Sequence, residues 1–421
     1  MDQGNTAFLL LAAALVLLMT PGLAFFYGGL VKAKSVISMM MMSFGALGLI
    51  GVLWVLYGYA IAFPAATGTI APWTIDWNEL GLNSLVAVPE DASYPPLAFA
   101  AFQATFAIIT VALVSGAIAD RAKFGAWMVF AGIWATVVYF PVASWVFNFG
   151  LADDGSFAYG GWLTHGLQDV FGVGTIDFAG GTAVHINAGA AGLALALVLG
   201  KRVGFAKGLT VPHNPPFVLL GAGLLWFGWF GFNAGSELAA DGTASLAFIN
   251  TIAAPAAALL AWLIVEKIKD GKPTSVGAAS GAVAGLVAIT PACGSLTPGY
   301  AIVLGLLAGA VCAVAIDLKF KLGFDDSLDV VGIHLIGGVI GTLFLGFFAN
   351  NTGLVYSGEF TQLLVQAIAA LSVMVYSFVL AYIIAFVIQK TMGFRIKNED
   401  EVAGVDSAVH GEEGYVLVDA R

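Results

Sequence analysis

Eleven apolar segments, each close to the length needed to cross a bilayer, occupy most of this chain: roughly 6–31, 36–63, 97–119, 125–149, 177–200, 217–235, 245–265, 274–292, 299–318, 330–349 and 360–390. A hydrocarbon core of about 30 Å is crossed by about 20 apolar residues in helical conformation. Within it every backbone N–H and C=O must find a partner inside the protein, and a helix does this segment by segment. The recurrence of such runs restricts the chain to an all-α polytopic bundle of eleven transmembrane helices. A chain with 60% hydrophobic and 10% charged residues is no soluble domain, and its 53 glycines suit close helix contacts.

Charge sets the expected orientation. All 16 Lys and Arg follow odd-numbered segments or lie at the chain's end: Lys32 and Lys34; Arg121 and Lys123; Lys201, Arg202 and Lys207; Lys267, Lys269 and Lys272; Lys319 and Lys321; and finally Lys390, Arg395, Lys397 and Arg421. Positive residues stay on the cytoplasmic side, so the N-terminus is expected outside and the C-terminus in the cytoplasm of a plasma-membrane protein. The opening MDQGNTAFLL has no basic region before its apolar run, so it reads as the first span rather than a cleaved leader. Two domains are expected, a membrane part over 1–390 and a tail over 391–421. The outer connections carry Asp76, Glu79, Glu90, Asp91, Asp153, Asp154 and Asp169. They form either an anionic vestibule that gathers cations or a merely solvated face.

Two histidines, His185 and His334, fall inside spans; His165, His213 and His410 do not. A polar ring at membrane depth is costly unless paired or facing a cavity, so each marks a candidate site. Asp177 precedes His185 by eight residues and Asp329 precedes His334 by five. The aromatic clusters PGLAFFYGGL (Pro21–Leu30) and WFGFNAGSEL (Trp229–Leu238) are each followed by Gly, in the first and sixth spans. Five spans separate the copies, which makes an inverted 5+5 pseudo-repeat with a final helix outside it, and puts a site at the interface of the halves. A pair of imidazoles also suits zinc or copper, but no Cys, Glu or third His supplies further ligands. Cys293 and Cys312 offer neither a disulfide framework nor a metal spacing.

Asp177 stands at the start of the fifth span, where a carboxylate either caps free N–H groups or contacts a substrate. Phe102 and Phe106 are one helical turn apart; Trp229, Phe232 and Ser236 are spaced by three and four and share a face. Such faces either pack in a core or attract a cation with about 0.5–2 kcal/mol. Counting 1.5 Å per residue, His185 lies about 12 Å below Asp177 and His334 about 7 Å above Asp329, leaving about 11 Å between them in a 30 Å core. A helix starting nearer Asp325 shortens that gap. The two are expected to meet as a neutral hydrogen-bonded pair.

The stretch DFAGGTAVHINAGAAGLALALVLGKR (Asp177–Arg202) closely resembles the signature of the ammonium transporter family, which includes the Rhesus-type proteins. The resemblance maps the twin pore histidines onto His185 and His334, the stacked gate onto Phe106 and Phe232, and the outer-site hydroxyl onto Ser236. Phe26, Tyr27 and Thr290 match further pore-lining positions, and Asp177 a residue that shapes the outer site. In YFPVASWVFNF (Tyr139–Phe149), Phe147 rather than Trp145 falls at the cation-π position where many relatives have Trp, and Ser144 replaces the usual His. The tail, with EDEVAG followed by Asp406 and HGE, resembles the family's cytoplasmic tail.

What the resemblance implies is ammonium uptake: NH4+ recognised outside, deprotonated, and NH3 conducted through a dry pore, with net charge movement. It also implies a homotrimer and contact between the tail and a PII-type signal protein; no cofactor and no nucleic acid enter this reading. Methylammonium would serve as the analogue. The alternatives are a Rhesus-like NH3/CO2 gas channel and an ammonium sensor. A membrane-embedded enzyme finds no support, since no intramembrane nucleophile–base pair, carboxylate dyad or HExxH is present.

Overall fold

The structure is a computed structural model, and it describes residues 1–64, 74–90, 92–150, 159–205 and 211–415. Asp91, Asp153, Asp154, Lys207 and Arg421 lie outside the described residues. Ten helices are long and apolar enough to cross a membrane: α1 (Gln3–Leu30), α2 (Ala33–Ala62), α3 (Pro96–Ile118), α4 (Phe124–Phe147), α5 (Gly181–Leu199), α6 (Pro215–Gly235), α7 (Gly242–Lys269), α9 (Pro298–Leu322), α10 (Val331–Phe348) and α11 (Thr361–Thr391). Between α7 and α9 lies α8 (Ser275–Ile289), of 15 residues. At about 1.5 Å per residue it reaches about 22 Å, short of a full crossing. Ten of the eleven expected segments thus have full spanning length, and α8 is the one shorter apolar helix among them. A short helix, α12 (Asn398–Ala403), follows in the tail. The regular extended structure among the described residues is one two-residue antiparallel pair, Phe149–Gly150 with Tyr159–Gly160.

Helices at corresponding places of the two halves pack together at the centre. A Cβ at Gly221 of α6 would stand 2.2 Å from the Phe26 nitrogen of α1, so only glycine lets these backbones approach. Helices α5 and α10 meet reciprocally. A Cβ on Gly189 would fall 2.5 Å from the Leu335 nitrogen, and one on Gly338 would fall 3.0 Å from Ile186 Cγ1. Gly189 and Gly338, like Ile186 and Leu335, are separated by the same 149 residues that separate His185 from His334. This is the contact pattern of a two-fold related pair of halves.

Both helices open in the same unusual way. Each begins with a π-helical turn, Gly181–Ile186 in α5 and Val331–Leu335 in α10, that carries its histidine. Each turn follows a residue with positive φ, Gly180 at 114° and Asp329 at 63°. Asp177 accepts the N–H groups of Gly180 (2.9 Å), Thr182 (2.8 Å) and Ala183 (3.2 Å), and also that of Gly181 and the hydroxyl of Thr182. In the second half Asp326 does this work, accepting the Val331 N–H at 2.7 Å. The counterpart of Asp177 is thus Asp326, eight residues before its histidine, and not Asp329. Asp329 takes the place of Gly180, and its carboxylate binds Lys319.

On the side holding the Lys and Arg residues, a charged network joins the halves to the tail. Arg202 pairs with Asp120 (3.1 Å) and Asp325 (2.8 Å). The buried Glu401 of α12 accepts the Val203 N–H at 2.6 Å and pairs with Arg395 at 2.8 Å. Asp406 accepts from Ile37 and Ser38 at the start of the α-helical part of α2. The tail is therefore ordered against the bundle as far as Tyr415, whose hydroxyl meets His213 Nε2 at 2.8 Å.

Candidate functional site

The pseudo-repeat brings the two intramembrane histidines face to face. His185 Nδ1 and His334 Nδ1 are 3.2 Å apart, with ring centroids at 5.3 Å and planes 25° apart. Both are buried, at 1% and 4% exposure. A single N–H between two Nδ1 atoms requires one imidazole to donate there and the other to accept, leaving opposite tautomers at the Nε2 atoms. Counting inward from the capping Asp326 instead of Asp329 lengthens the second arm to about 12 Å and narrows the counted gap to about 6 Å.

From this pair a column of rings runs toward the opposite side. His185 stacks on Trp229 (5.5 Å) and Phe232 (6.2 Å). Phe232 stacks on Phe106 at 4.1 Å and 18°. Phe106 then meets the edges of Phe102 (4.9 Å) and Phe147 (6.2 Å). A narrow cavity lies along the column, lined by Phe26, Val184, His185, Trp229, Phe232 and His334 among others. It has about 10 Å³ for the centre of a water-sized particle, room for about one such molecule. The lining is apolar apart from the imidazoles and the indole N–H.

Other expected site residues stand near the column without entering it. Thr290 does not line the cavity; its hydroxyl accepts the Trp229 indole N–H at 2.8 Å and donates to the Leu286 carbonyl at 2.7 Å. Tyr27 donates to the Leu113 carbonyl at 3.0 Å, its ring filling the space over Gly116. Ser236, half-buried at the end of α6, donates to the Phe232 carbonyl at 2.8 Å, and its oxygen remains able to accept. Asp177 is saturated by backbone and Thr182 donors, so it holds α5 rather than a ligand. Trp145 turns away, packing on Trp162 (5.6 Å) and Tyr376 (4.6 Å).

The expected vestibule acids do local work where they are described. Asp76 caps the turn at Asn78, and Glu79 accepts the Ser84 hydroxyl. Glu90 and Asp169 are exposed. Burial and then the charge of Asp241 push the carboxyl of Glu237, next to Ser236, up to about 7. Asp326 was missed, although its eight-residue spacing to His334 repeats that of Asp177 and is legible in the chain. Among the described residues no group of three His, Cys, Asp or Glu could hold a metal ion.

Comparison with known proteins accounts for the whole chain. A family model described as Ammonium Transporter Family matches residues 7–415. An ammonium transporter of Mycobacterium tuberculosis (strain ATCC 25618 / H37Rv) is 53% identical over 441 residues, covering 98% of this chain and 90% of that relative. The crystal structure of Saccharomyces cerevisiae Mep2 superposes with a TM-score of 0.83 at 31% identity, over 100% of this chain and 93% of the other. A structure described as a sensor Amt protein superposes with a TM-score of 0.87 at 28% identity, over 97% of this chain and 98% of the other.

Proposed function

The chain belongs to the ammonium transporter family and is a multi-pass membrane transporter of ammonium, not an enzyme; from that premise we propose how its pore works. NH4+ is gathered on the outer side among Phe106, Phe147, Phe232 and Ser236. Ring faces attract the cation with about 0.5–2 kcal/mol, and the Ser236 oxygen accepts one of its N–H groups. The ion then loses a proton, and NH3 passes the stacked Phe106–Phe232 pair and the neutral pair His185–His334. The observation that carries this reading is the ring column ending on two hydrogen-bonded imidazoles in a cavity one small molecule wide.

Deprotonation follows from solvation. An isolated ammonium-sized ion moved into an apolar medium carries a penalty of tens of kcal/mol on a Born estimate, whereas a neutral amine needs only its hydrogen bonds replaced. The imidazole nitrogens supply such a bond inside the pore. The removed proton crosses through the protein as well, so net charge moves.

The N-terminus lies outside and the tail in the cytoplasm of the plasma membrane, as the Lys and Arg distribution indicates. The membrane unit spans 1–390 and the tail 391–421 is regulatory. Three copies assemble, each with its own pore, and the tail's surface meets a PII-type signal protein. Uptake of radiolabelled methylammonium at micromolar concentration tests the transport reading. Saturable uptake driven by membrane potential supports it, and a Rhesus-like gas channel would show neither. Likeness to a sensor Amt protein favours a second reading, ammonium binding that signals through the tail. Tight binding with negligible uptake would select it.

A further inference from the structure

Helix α6 ends at Gly235, and the residues that follow bring two carboxyl groups together beside Ser236. Leu238 takes a left-handed backbone conformation, φ 61°, which turns the chain away from the helix. Asp241 then caps α7, its Oδ1 accepting the N–H groups of Thr243 at 2.9 Å and Ala244 at 3.0 Å. The half-buried Glu237 is hydrogen-bonded to the Asp241 side chain. Two carboxyl groups share such a bond only through a proton. Backbone donors are given to Asp241 and, among the described residues, none to the Glu237 carboxyl, so the proton resides on Glu237. The pair carries one negative charge with that proton and two without it.

We propose that Glu237 sets how strongly the outer site recruits its cation, weakly while it shares a proton with Asp241 and strongly once that proton has left. This rests on the transport reading above, in which the Ser236 oxygen accepts an N–H group of NH4+, and it names the residue that regulates that step. Glu237 acts through its charge and does not touch the ion. Neighbouring Cα atoms are about 3.8 Å apart, so its carboxyl lies on the order of 10 Å from an ion held at Ser236. That is comparable to the screening length of about 8 Å at physiological salt, so the second charge is felt, and felt more at low salt.

The surroundings let the pair titrate. Burial, and then the charge and hydrogen bond of Asp241, push the Glu237 carboxyl up to about 7. No Lys or Arg pairs with either carboxyl among the described residues. In the turns after α8, the Cys293 thiol feels the charges of both Glu237 and Asp177. Asp177 is itself occupied by the start of α5. From α1, Asn5 accepts the Ala240 N–H at 3.0 Å, and Asp2 accepts the Asn5 N–H at 2.8 Å.

The test is uptake of radiolabelled methylammonium by cells producing the protein, with KM and maximal rate measured against external pH at low ionic strength. An alkylamine stays protonated around neutral pH, so a change in KM reports the site and not the substrate. The wild-type KM should fall about threefold as pH rises through about 7. Glu237→Gln should keep the acid-side KM at every pH while matching the wild-type maximal rate at each. Asp241→Asn retains a cap for α7 but removes the neighbouring charge, so the transition should move to lower pH. It decides the matter should Glu237→Gln fail to fold. Saturable wild-type uptake with a KM indifferent to pH, or a transition left unmoved by the variants that fold, overturns the role of Glu237 alone. Wild-type protein present in the membrane without saturable uptake removes the transport reading and this role with it.

Discussion

The Asp406 carboxylate accepts the backbone N–H of Ser38 at 2.7 Å, across 368 residues of sequence. A residue of the tail thus caps a membrane helix, satisfying a donor that α2 cannot satisfy itself. Asp406→Ala should cost about 0.5–2 kcal/mol, and Asp406→Asn much less. Thermal unfolding in detergent checks the order. Truncation after Phe394 should leave the bundle inserted but lower or deregulate uptake; normal uptake together with normal PII binding would defeat that expectation.

Phe232 is stacked on Phe106 and His185 at once. Phe232→Ala should change ammonium flux several-fold while the folded assembly survives size-exclusion chromatography. Intact protein with unaltered flux would mean the ring only packs.

Thr290→Val keeps the shape of the side chain but removes the acceptor of the Trp229 indole N–H. A buried donor left unmade costs about 1–3 kcal/mol. The variant should melt lower, and its uptake should fall because Trp229 is the ring on which His185 rests. Thr290→Ser should restore both.

Two neighbouring aspartates carry opposite pH dependences. Burial would raise Asp325, but the hydrogen bonds and charge of Arg202, with Arg121 behind, hold it below the ordinary carboxylate range. Its stabilisation is present above the unfolded value of about 4 and is lost as pH falls through the lower folded value. Asp326, raised to about 6, behaves the other way. Its contribution is present below about 4 and is lost as pH rises through about 6. Melting temperatures from pH 3 to 8 should show both limbs, Asp325→Asn removing the acid one and Asp326→Asn the other.

Hydrophobic run lengths and the placement of Lys and Arg made the bundle readable, because the membrane constrains length and charge so tightly. Scarcity made the histidines readable too. Their meeting was less so, because depth was counted from Asp329 when the capping residue is Asp326; a cap is defined by which N–H groups it accepts, and spacing shows that only when both halves are aligned. Thr290 was expected along the pore. Its hydroxyl serves a tryptophan instead, a distinction that depends on the rotation of α8 against α6. Trp145 and Phe147 lie two residues apart and face different neighbours, which residue type alone does not reveal.

The brevity of α8 bears on how the protein is made. After Ile289 the chain continues in turns through Ser295, buried from Thr290 to Cys293, with the Cys293 and Leu296 carbonyls both held by Asn250 Nδ2 at 2.8 Å. Irregular backbone at such depth is tolerated only inside protein. During synthesis the segment emerges with no such shelter, and 15 residues give it little claim of its own on the lipid. Its insertion is therefore expected to depend on α7, which carries Asn250. Asn250→Leu, harmless by hydropathy, should strand α8 outside the bilayer in a glycosylation-mapping assay.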